Sequence, residues 1–478
     1  MPRQHRSGVT VDPDWDGLQE GIAGAVVLPG SPDYDAVRKP FEARFHSVRP
    51  QAVVLCGSAN DVAETLRLAV RSGLPTATRS GGHSCAGRSS SDGIVIDVTP
   101  MHSVSVKDGV AAIGGGALLG HVYASLSQRG LTLPAGSCPS VGIAGLTLGG
   151  GLGILGRKYG LTSDQLLGAQ IVLADGRVVD CDASHDGELF WALRGAGAGN
   201  FGVVTSLLFR THPASSATNF RLTWSFTQAA AVIEAWQEWA PAAPDELSAS
   251  VLVTASADVE RPPAIDLLGS MLGSEADTAQ LLNTFVARAG EDPTSAFHKY
   301  MSREETIRYW ADLEVPDRDE ASEETYRHEF LFQKSEFFRR SLPTEAIAQL
   351  LRNLADGRLQ GQARELDFSP WGGAYNRVRD DATAFAHRRE LFSLRQATAV
   401  DPGSSNEAEA SAQGWLTESW KSVRPWASGH VFQNFPDPTL EDWQHAYYGR
   451  NYDRLLKVKR AYDPDNIFRF HQSLPSSA

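Results

Sequence analysis

Short apolar runs alternate with amphipathic segments over the first 210 residues of the chain. The run AVVLC at 52–56 is typical of a buried strand, and LPTATR at 74–79 and GIVIDV at 93–98 predict two more. Between the first two runs, apolar residues recur near helical spacing. Ser58 or Asn60 can cap this helix, and Gly73 ends it. The pattern predicts an α+β fold whose strands approach a shared glycine-rich turn.

The pattern changes between about residue 215 and residue 430, where glycine becomes rarer. Helical spacing appears at 229–240 and 342–357, and strand-like runs lie at 220–226, 248–255 and 364–370. The stretch DPGSSNEAEASAQ at 401–413 is predicted to be a polar loop that leads into a helix. The middle third is therefore predicted to form a separate domain that covers the first.

Glycine is concentrated in three places within 125 residues. Glycine permits backbone turns with positive φ and allows N–H groups to approach a ligand closely. One interpretation is a loop-rich scaffold with tight turns, and the other, which we favour, is a bound cofactor that carries phosphate. The clusters are glycines 81, 82 and 87, then glycines 136, 142, 145, 149, 150, 151, 153, 156 and 160, then glycines 195, 197, 199 and 202.

Composition and charge exclude several classes of protein. The 478 residues suffice for two domains or one large one, and 42% hydrophobic with 21% charged residues is typical of a globular chain. The net charge of −13 makes nucleic acids and anionic membranes poor partners. No apolar stretch reaches about 18 residues, and the N-terminus lacks the apolar core of a signal peptide, which favours a cytoplasmic location. The four cysteines form no CxxC pair and the histidines no HExxH pair, so no metal site is expected.

Two short motifs point to other chemistry, but their context is wrong. GLGILG at 151–156 fits GxGxxG, and Asp175 follows at about the distance that a nicotinamide-binding turn requires. However, that turn should join a strand to a helix, and Asp175-Gly176 instead predicts a hairpin. GHSCA at 82–86 nearly matches the GxSxG motif of serine hydrolases, with Ser84 as nucleophile, but Ala86 replaces the last glycine.

Four stretches of the chain contain motifs that are informative when they are taken together and in order. They are 49–101 with the turn RSGGHSCAG, 130–166 with PAGSCPSVGIAGLTLGGGLG, 193–204 with LRGAGAGNFGVV, and 447–474 with YYGRN. In this order they resemble the vanillyl-alcohol-oxidase superfamily, and more closely its berberine-bridge-enzyme-like branch. The resemblance covers both ends of the chain and most of what lies between.

The resemblance implies an FAD-binding domain with the flavin bonded twice to the protein. A histidine in the RSGGHS turn of this branch can bond to the flavin 8α-methyl carbon, and His83 matches it. A cysteine in the second turn can bond to flavin C6, and Cys138 matches it. Backbone N–H groups from Ser80 to Ser84 are suited to hold the pyrophosphate. The residues thus assigned to FAD binding are Arg79, Ser80, Gly81, Gly82, His83, Ser84, Gly87, Gly136, Ser137, Cys138, Val141, Gly142, Gly145, Gly149, Gly150, Tyr159, Gly160, Asn200, Gly202, Val203, Val204, Tyr448 and Asn451.

The resemblance also implies the division of the chain. Residues 1–212 would form the first part of the FAD-binding domain, of the vanillyl-alcohol-oxidase type. Residues 213–430 would form a substrate domain, an antiparallel sheet covered by helices. Residues 431–478 would return to the FAD-binding domain.

The candidate catalytic residues are Asp367, Tyr375, Gln396 and Tyr448. Carbohydrate-oxidising relatives use a tyrosine in a Tyr-x-Asn-Tyr strand as the base, whereas residues 432–435 read Phe-Gln-Asn-Phe here. Neither phenylalanine can accept a proton, so another group must do so, or the substrate needs little help from a base. Arg395 and Gln396 stand where many relatives have Gln-Tyr, which suggests a more polar or anion-tolerant pocket.

The implied activity is that of an FAD-dependent oxidase. A hydride would pass from a substrate carbon, most simply an alcohol carbon of a sugar or secondary metabolite, to flavin N5, and dioxygen would be reduced to hydrogen peroxide. Oxidative cyclisation or C–N oxidation of a secondary metabolite is the alternative within this class. A nicotinamide-dependent dehydrogenase, or a binding protein that has lost catalysis, remains open outside it. The sequence leaves the oligomeric state open.

Overall fold

The computed structural model describes residues 12–313, 330–401 and 403–477. The strands are β1 Ala25–Val27, β2 Ala52–Leu55, β3 Thr76–Arg79, β4 Ile94–Asp97, β5 Val104–Lys107, β6 Val110–Gly114, β7 Leu131–Thr132, β8 Leu166–Val172, β9 Val178–Asp182, β10 Val203–Arg210, β11 His212–Pro213, β12 Ala217–Ser225, β13 Leu247–Ala255, β14 Ala264–Met271, β15 Ser295–Met301, β16 Phe330–Phe338, β17 Gln362–Pro370 and β18 Phe392–Val400.

The α-helices are distributed along the whole described chain. They are α1 Trp15–Gly21, α2 Tyr34–Val37, α3 Ala59–Ser72, α4 Leu119–Ser127, α5 Ile143–Leu148, α6 Gly156–Tyr159, α7 Gly187–Leu193, α8 Ala229–Trp239, α9 Glu275–Ala289, α10 Arg303–Leu313, α11 Thr344–Ala355, α12 Ala374–Arg377, α13 Asn406–Val423, α14 Trp443–Tyr448 and α15 Tyr452–Tyr462. None of the helices in these ranges is long and apolar enough to cross a membrane.

The first sheet has the order β1-β2-β4-β3, with β4 parallel to both β2 and β3. Helix α3 connects β2 to β3. Its N-terminus is capped by Ser58, whose hydroxyl accepts the Asp61 N–H, and Gly73 ends it in the left-handed conformation at φ +67°. The predicted strands, helix, cap and stop in this region are all confirmed, because local capping and burial act in the same direction.

The second sheet is antiparallel, in the order β5-β6-β10-β8-β9. Strands β8 and β9 form a hairpin whose turn contains Asp175 and Gly176, with Gly176 at φ +81°. The predicted hairpin is thus confirmed. It places Asp175 in a turn between antiparallel strands, which is not where a Rossmann fold holds a ribose.

The third sheet contains seven antiparallel strands in the order β15-β12-β14-β13-β17-β18-β16. Alternate residues of β13 and β17 are buried, in the period of two that strands require. One face packs its apolar side chains against α8, α9, α11 and α13, and the other face, with Ser248, Ser250 and Asp367, lines a large cleft. The expected antiparallel sheet covered by helices is confirmed.

Helix α13 begins earlier than the sequence pattern predicted. The stretch 401–413 was expected to be a polar loop, but the helix starts at Asn406. Ser405 is its cap and accepts the Ala408 N–H. The stretch is polar because the first turn of the helix is exposed. Its acidic residues are favourable there, since negative charge stabilises a helix N-terminus.

The C-terminal segment packs into the core of the first two hundred residues. Val431, Leu440, Leu455 and Leu474 are buried in one cluster with side chains of β6, β8, β10 and α7. We retain the division into 1–212, 213–430 and 431–478 as a proposal that this packing supports.

Buried cations join the three segments. The Arg157 guanidinium, 2% exposed, donates to the carbonyls of Leu247 at 2.9 Å and Ala243 at 2.7 Å, and to that of Trp371. The Lys459 ammonium donates to the Asn200 carbonyl at 2.8 Å and to Asp463 at 2.6 Å. Loss of either side chain would leave several buried acceptors unpaired, which is costly.

A buried carboxyl group makes stability depend on pH. Glu336 on β16 is fully buried, and burial raises its pKa to about 7, although Arg424 at 2.5 Å opposes the shift. Between pH 4.5 and 7 the folded protein therefore holds a proton that the unfolded chain has lost, and stability from this group falls as pH rises.

We expect Glu336→Gln to remove that part of the pH dependence. The free energy of unfolding of the wild type should fall relative to the variant as pH rises from 4.5 to 7, by at most about 1.4 kcal/mol per pH unit. Urea unfolding at four pH values measures the difference, with exposed Glu345→Gln as the control. Parallel curves for wild type and Glu336→Gln would contradict the buried, protonated state.

Candidate active site

A cleft of about 1410 Å³ lies between the glycine-rich turns and the open face of the third sheet. The turns that follow β3 and β7 form one wall, and β13, β14, β17 and β18 form the other. Residues 432–436 and 468–472 of the C-terminal segment close its ends. All three segments of the chain therefore contribute to a single site.

His83 lies in the turn after β3, with its ring held from two directions. The Phe41 ring stacks on the imidazole with the centroids 3.7 Å apart, and His83 Nε2 lies 3.0 Å from the Ser140 hydroxyl. Burial lowers the pKa of His83 to about 4. The imidazole is therefore neutral at physiological pH and keeps a lone pair.

Cys138 reaches the same point from the turn after β7. Its Sγ lies 3.4 Å from the Ser140 hydroxyl that also contacts His83. The two turns meet through glycine, since a Cβ on Gly81 would lie 2.4 Å from the Gly142 nitrogen, and one on Gly142 would lie 2.2 Å from Ser80 Oγ. Any larger residue at either position would separate the turns, and with them His83 and Cys138.

Several buried polar atoms along the glycine-rich wall have no hydrogen-bond partner within the described chain. They belong to Thr76 (Oγ1), Ser80 (Oγ) and Arg88 (Nε), all of which line the cleft. Buried polar atoms are rarely left unpaired, because each costs free energy. The wall is thus suited to a large ligand that carries many hydrogen-bonding groups.

The opposite wall presents a carboxylate supported by a cation. Asp367 Oδ1 accepts from the Ser369 hydroxyl at 2.9 Å, and its Oδ2 lies 3.6 Å from Arg395 Nη2. Arg395 also pairs with Glu365 and lies over the Phe435 ring, 5.6 Å from its centroid. The wall therefore combines a proton acceptor, a fixed positive charge and an aromatic face.

Most of the residues expected to bind FAD lie around this one cleft. They are Arg79, Ser80, Gly81, Gly82, His83, Ser84, Gly87, Gly136, Ser137, Cys138, Val141, Gly142, Gly145, Gly202, Val203 and Val204. Arg79 lines the cleft, but its guanidinium already donates to the backbone carbonyls of Val37, Arg38 and Ser89. It shapes the loop and has little capacity left for a ligand.

Two of the glycines expected to bind the cofactor pack against protein instead. A Cβ on Gly149 would meet the Asn434 side chain at 1.8 Å, and one on Gly150 would meet the Phe385 ring at 2.8 Å. Neither glycine lies in the cleft lining. Close approach explains both glycines, but the approaching groups belong to the loop before β18 and to the C-terminal segment.

Tyr159, Gly160, Asn200 and Asn451 also lie away from the cleft lining. Tyr159 stacks on His212, and Gly160 turns at φ +95° beside Asp164. The Asn200 side chain donates to the Ala196 carbonyl, and that of Asn451 to the Asp380 carbonyl. These groups bond to backbone outside the cleft lining, and their contact with a cofactor stays a prediction.

Of the four candidate catalytic residues, Asp367 and Tyr375 line the cleft, and Gln396 and Tyr448 do not. Gln396 follows Arg395 on β18, and the alternation of the strand turns it to the helix-covered face, where it is buried. The Tyr448 hydroxyl donates to the Ala196 carbonyl at 2.9 Å, and burial raises its pKa to about 12. A catalytic role for Gln396 or Tyr448 is therefore not supported.

Tyr375 is a poor proton acceptor in this setting. Its hydroxyl donates to the Gly153 carbonyl at 3.0 Å, and its ring stacks on Trp371 with the centroids 4.3 Å apart. Burial raises its pKa. Tyr375 therefore stays protonated and holds the Gly153 turn against the third sheet.

Several residues of the site gave no signal in the sequence. Phe41 and Glu42 lie between β1 and β2, yet Phe41 stacks on His83 and Glu42 accepts from the Cys85 thiol at 3.6 Å. Ser140 lies inside the GSCPSVG motif, but nothing in the motif shows that its hydroxyl joins both turns. Arg221 and Asp266 pair at the far end of the cleft. Only tertiary packing brings these residues together.

The two competing motifs lack the structure that they require. Residues 151–153 are irregular, the helix that follows has only four residues, and a Cβ on Gly153 would lie 1.9 Å from the Ala135 carbonyl oxygen. The Ser84 hydroxyl accepts the Arg88 N–H and lies in a turn without a following helix. Neither a nicotinamide-binding turn nor a hydrolase elbow is therefore present at these positions.

Comparison with known proteins gives the family. A family model described as an FAD binding domain matches residues 50–182, and one described as berberine and berberine like matches residues 431–475. The uncharacterized FAD-linked oxidoreductase YgaK of Bacillus subtilis (strain 168) is 32% identical, over 95% of this chain and 97% of its own.

Two further relatives carry named oxidase activities. The (R)-6-hydroxynicotine oxidase of Paenarthrobacter nicotinovorans is 31% identical, over 95% of this chain and 97% of its own. The glucooligosaccharide oxidase of Sarocladium strictum is 31% identical, over 88% of this chain and 86% of its own.

A solved structure agrees with this relationship. The wild-type BBE-like 1 of Physcomitrella patens superposes with a TM-score of 0.86 at 28% identity, over 97% of this chain and 99% of the other. A cleft built by all three segments and similarity along nearly the whole chain lead to one conclusion. The chain belongs to the berberine-bridge-enzyme-like family of FAD-linked oxidoreductases.

Proposed function

We propose that the protein is an oxidase that binds FAD covalently through both His83 and Cys138. It removes a hydride from an alcohol carbon of a sugar or secondary metabolite, with dioxygen as acceptor and hydrogen peroxide as product. The observation that carries this proposal is the shared contact of His83 and Cys138 with the Ser140 hydroxyl, at the wall of a cleft opposite Asp367.

The glycine-rich wall fits a flat cofactor with a phosphate-bearing tail. Besides its unpaired polar atoms, it includes Gly145 on α5, where an added Cβ would meet no atom within 4 Å. This glycine is not required by protein packing or by positive φ. Space held open in the cleft lining at Gly145 is what a closely bound ligand would need.

His83 has the protonation state that attachment requires. A neutral imidazole that donates from Nε2 to Ser140 carries its lone pair on Nδ1, and that nitrogen can then bond to carbon. The stacked Phe41 ring fixes the plane of the imidazole. Cys138 lies beside the same hydroxyl, so both side chains are held before any cofactor arrives, which lowers the entropic cost of reaction.

Asp367 is the best-placed group to accept a proton from the substrate. FAD, when bound, supplies the hydride acceptor, while Asp367 would take the proton of the substrate hydroxyl. The Arg395 guanidinium and the Ser369 hydroxyl hold its two oxygens. Phe435, which replaces a tyrosine used by carbohydrate-oxidising relatives, would offer an apolar face to the substrate.

Oxidation of a C–N bond is the second candidate function. It is favoured by the carboxyl groups of Glu42, Glu365 and Asp367 in the cleft, which suit an amine, and by the name of the 6-hydroxynicotine relative. Amine oxidation needs no hydroxyl proton removed, and one of these carboxylates could take the ammonium proton before the hydride leaves, which suits a site without the two tyrosines.

The double attachment predicts a specific mass. Intact-mass measurement should find the wild-type chain heavier by one FAD, and the acid-precipitated protein should stay yellow. His83→Ala and Cys138→Ala should each keep one bond, and the double variant should release its FAD on denaturation. Cys85→Ala, two residues from His83, serves as control and should behave as wild type. A bare polypeptide mass for the wild type would remove the covalent proposal.

Gly145→Ala should separate folding from cofactor binding. The substitution meets no protein atom and should stabilise α5 by up to about 1 kcal/mol, whereas its methyl group would enter the space proposed for FAD. We expect a folded protein with a much lower flavin-to-protein absorbance ratio. Gly414→Ala, at an exposed position of α13, also meets no atom and should keep full flavin content. Full flavin content in Gly145→Ala would show that the cofactor lies elsewhere.

Oxygen consumption tests the activity and the role of Asp367 together. A screen over oligosaccharides, polyols, aromatic alcohols and cyclic amines should find substrates whose oxidation yields one hydrogen peroxide per dioxygen. Asp367→Asn should then lower kcat for an alcohol about 10²–10⁴-fold, the usual range for loss of a general base, without loss of flavin. Surface Glu238→Gln is the control. An active Asp367→Asn variant with an alcohol would exclude Asp367 as the base, and turnover of amines alone would favour C–N oxidation.

A further inference from the structure

Three potential metal ligands lie close together near the start of β18 in the third sheet, outside the cleft lining. His387 and Glu390 lie in the loop before β18, and His430 lies one residue before the C-terminal segment. One ligand atom from each of the three side chains lies within 4.8 Å of the others. The loop and the C-terminal segment are thus joined by groups that ordinarily bind transition metals.

The cluster is buried, and part of it lacks hydrogen-bond partners. His387 is 0% exposed, and its ring nitrogens face only the Gln433 side chain and the Tyr447 backbone, neither at ordinary hydrogen-bond geometry. Glu390 is also fully buried, and its Oε2 has no partner there.

Arg339 now supplies the positive charge beside this carboxylate. Its Nη2 lies 2.9 Å from Glu390 Oε1 and 3.1 Å from His430 Nδ1, and His430 Nδ1 lies 3.1 Å from the same oxygen. The two contacts to Glu390 both involve Oε1, and none of the three contacts involves Oε2 or His387. The Arg339 side chain is 46% exposed, so it can turn to solvent at little cost.

We propose that His387, Glu390 and His430 form a binding site for a divalent transition metal ion such as Zn²⁺. Two imidazoles and a carboxylate are an established zinc donor set, with water as the fourth ligand. Tetrahedral bonds of roughly 2.1 Å place ligand atoms about 3.4 Å apart, so the longest separation in the cluster, at most 4.8 Å, must shorten by up to about 1.4 Å. The Gln433 side chain and the Tyr447 backbone, both beside His387, are available to hold its second nitrogen.

The ion would act on the structure of the active site without touching substrate. His430 directly precedes Val431–Phe435, the stretch that carries Gln433 and Phe435 into the cleft. A metal bond between this stretch and the loop at 387–390 would fix its position. Arg339 and the ion would compete for Glu390, because both are cations and share one carboxylate.

Titration of the intact flavoprotein with zinc chloride tests the site. The protein is freed of any histidine tag, treated with EDTA, dialysed and followed by isothermal titration calorimetry and thermal unfolding. We expect one ion per chain with a dissociation constant of micromolar or below, and a rise in Tm with zinc concentration, as ligand linkage requires. His430→Ala should weaken binding at least tenfold, whereas exposed His185→Ala should not change it.

Arg339→Gln gives the sharpest result, because it keeps all three ligands and removes the competing cation. The variant should bind zinc more tightly than the wild type. A cluster that serves only as an ion-pair network would lose stability in Arg339→Gln and gain no affinity for zinc. The proposal is overturned if neither wild type nor Arg339→Gln binds zinc saturably, or if His430→Ala binds it with unchanged affinity.

Discussion

The contact between two glycine-rich turns, made at Gly81 and Gly142, is the constraint on which the site depends. With no Cβ at either position, the two backbones approach closely enough for the Ser140 hydroxyl to reach both His83 and Cys138. One turn follows β3 of the first sheet and the other leads into α5, so their contact also fixes the first sheet relative to that helix. Burial at this point keeps His83 neutral. Packing and chemical reactivity therefore have the same origin here.

The other wall of the cleft follows from the alternation of the third sheet. Leu366 and Phe368 of β17 face the covering helices, and Asp367 between them faces the cleft. On β18 the same alternation exposes Arg395 to the cleft and buries Gln396. A shift of one residue in either strand would exchange these roles, and the apolar helix-covered face prevents it because the shift would bury charge.

Buried cations hold the two walls at their separation. Arg157 connects the glycine-rich segment to carbonyls near β13 and β17, Lys459 ties the C-terminal segment to Asn200, and Arg388 pairs with Asp164 at 2.7 Å. Such groups are expensive to bury and costly to remove, because their partners would be left unpaired. The arrangement keeps the glycine-rich wall at a fixed distance from the wall that carries Asp367.

Local patterns determined the elements of this protein, and tertiary packing decided which residues form its site. Ser58, Gly73 and the Asp175-Gly176 turn follow from capping and turn chemistry within a few residues, and the motifs around His83 and Cys138 indicated an FAD-linked oxidoreductase. The motifs did not show that Gly149 and Gly150 pack against Asn434 and Phe385, or that Tyr448 points to the Ala196 carbonyl. Close approach requires glycine whether the neighbour is cofactor or protein, so sequence alone does not distinguish the two. Only the folded chain brings Phe41 to His83 and His430 to His387, because these contacts join residues that are far apart in sequence.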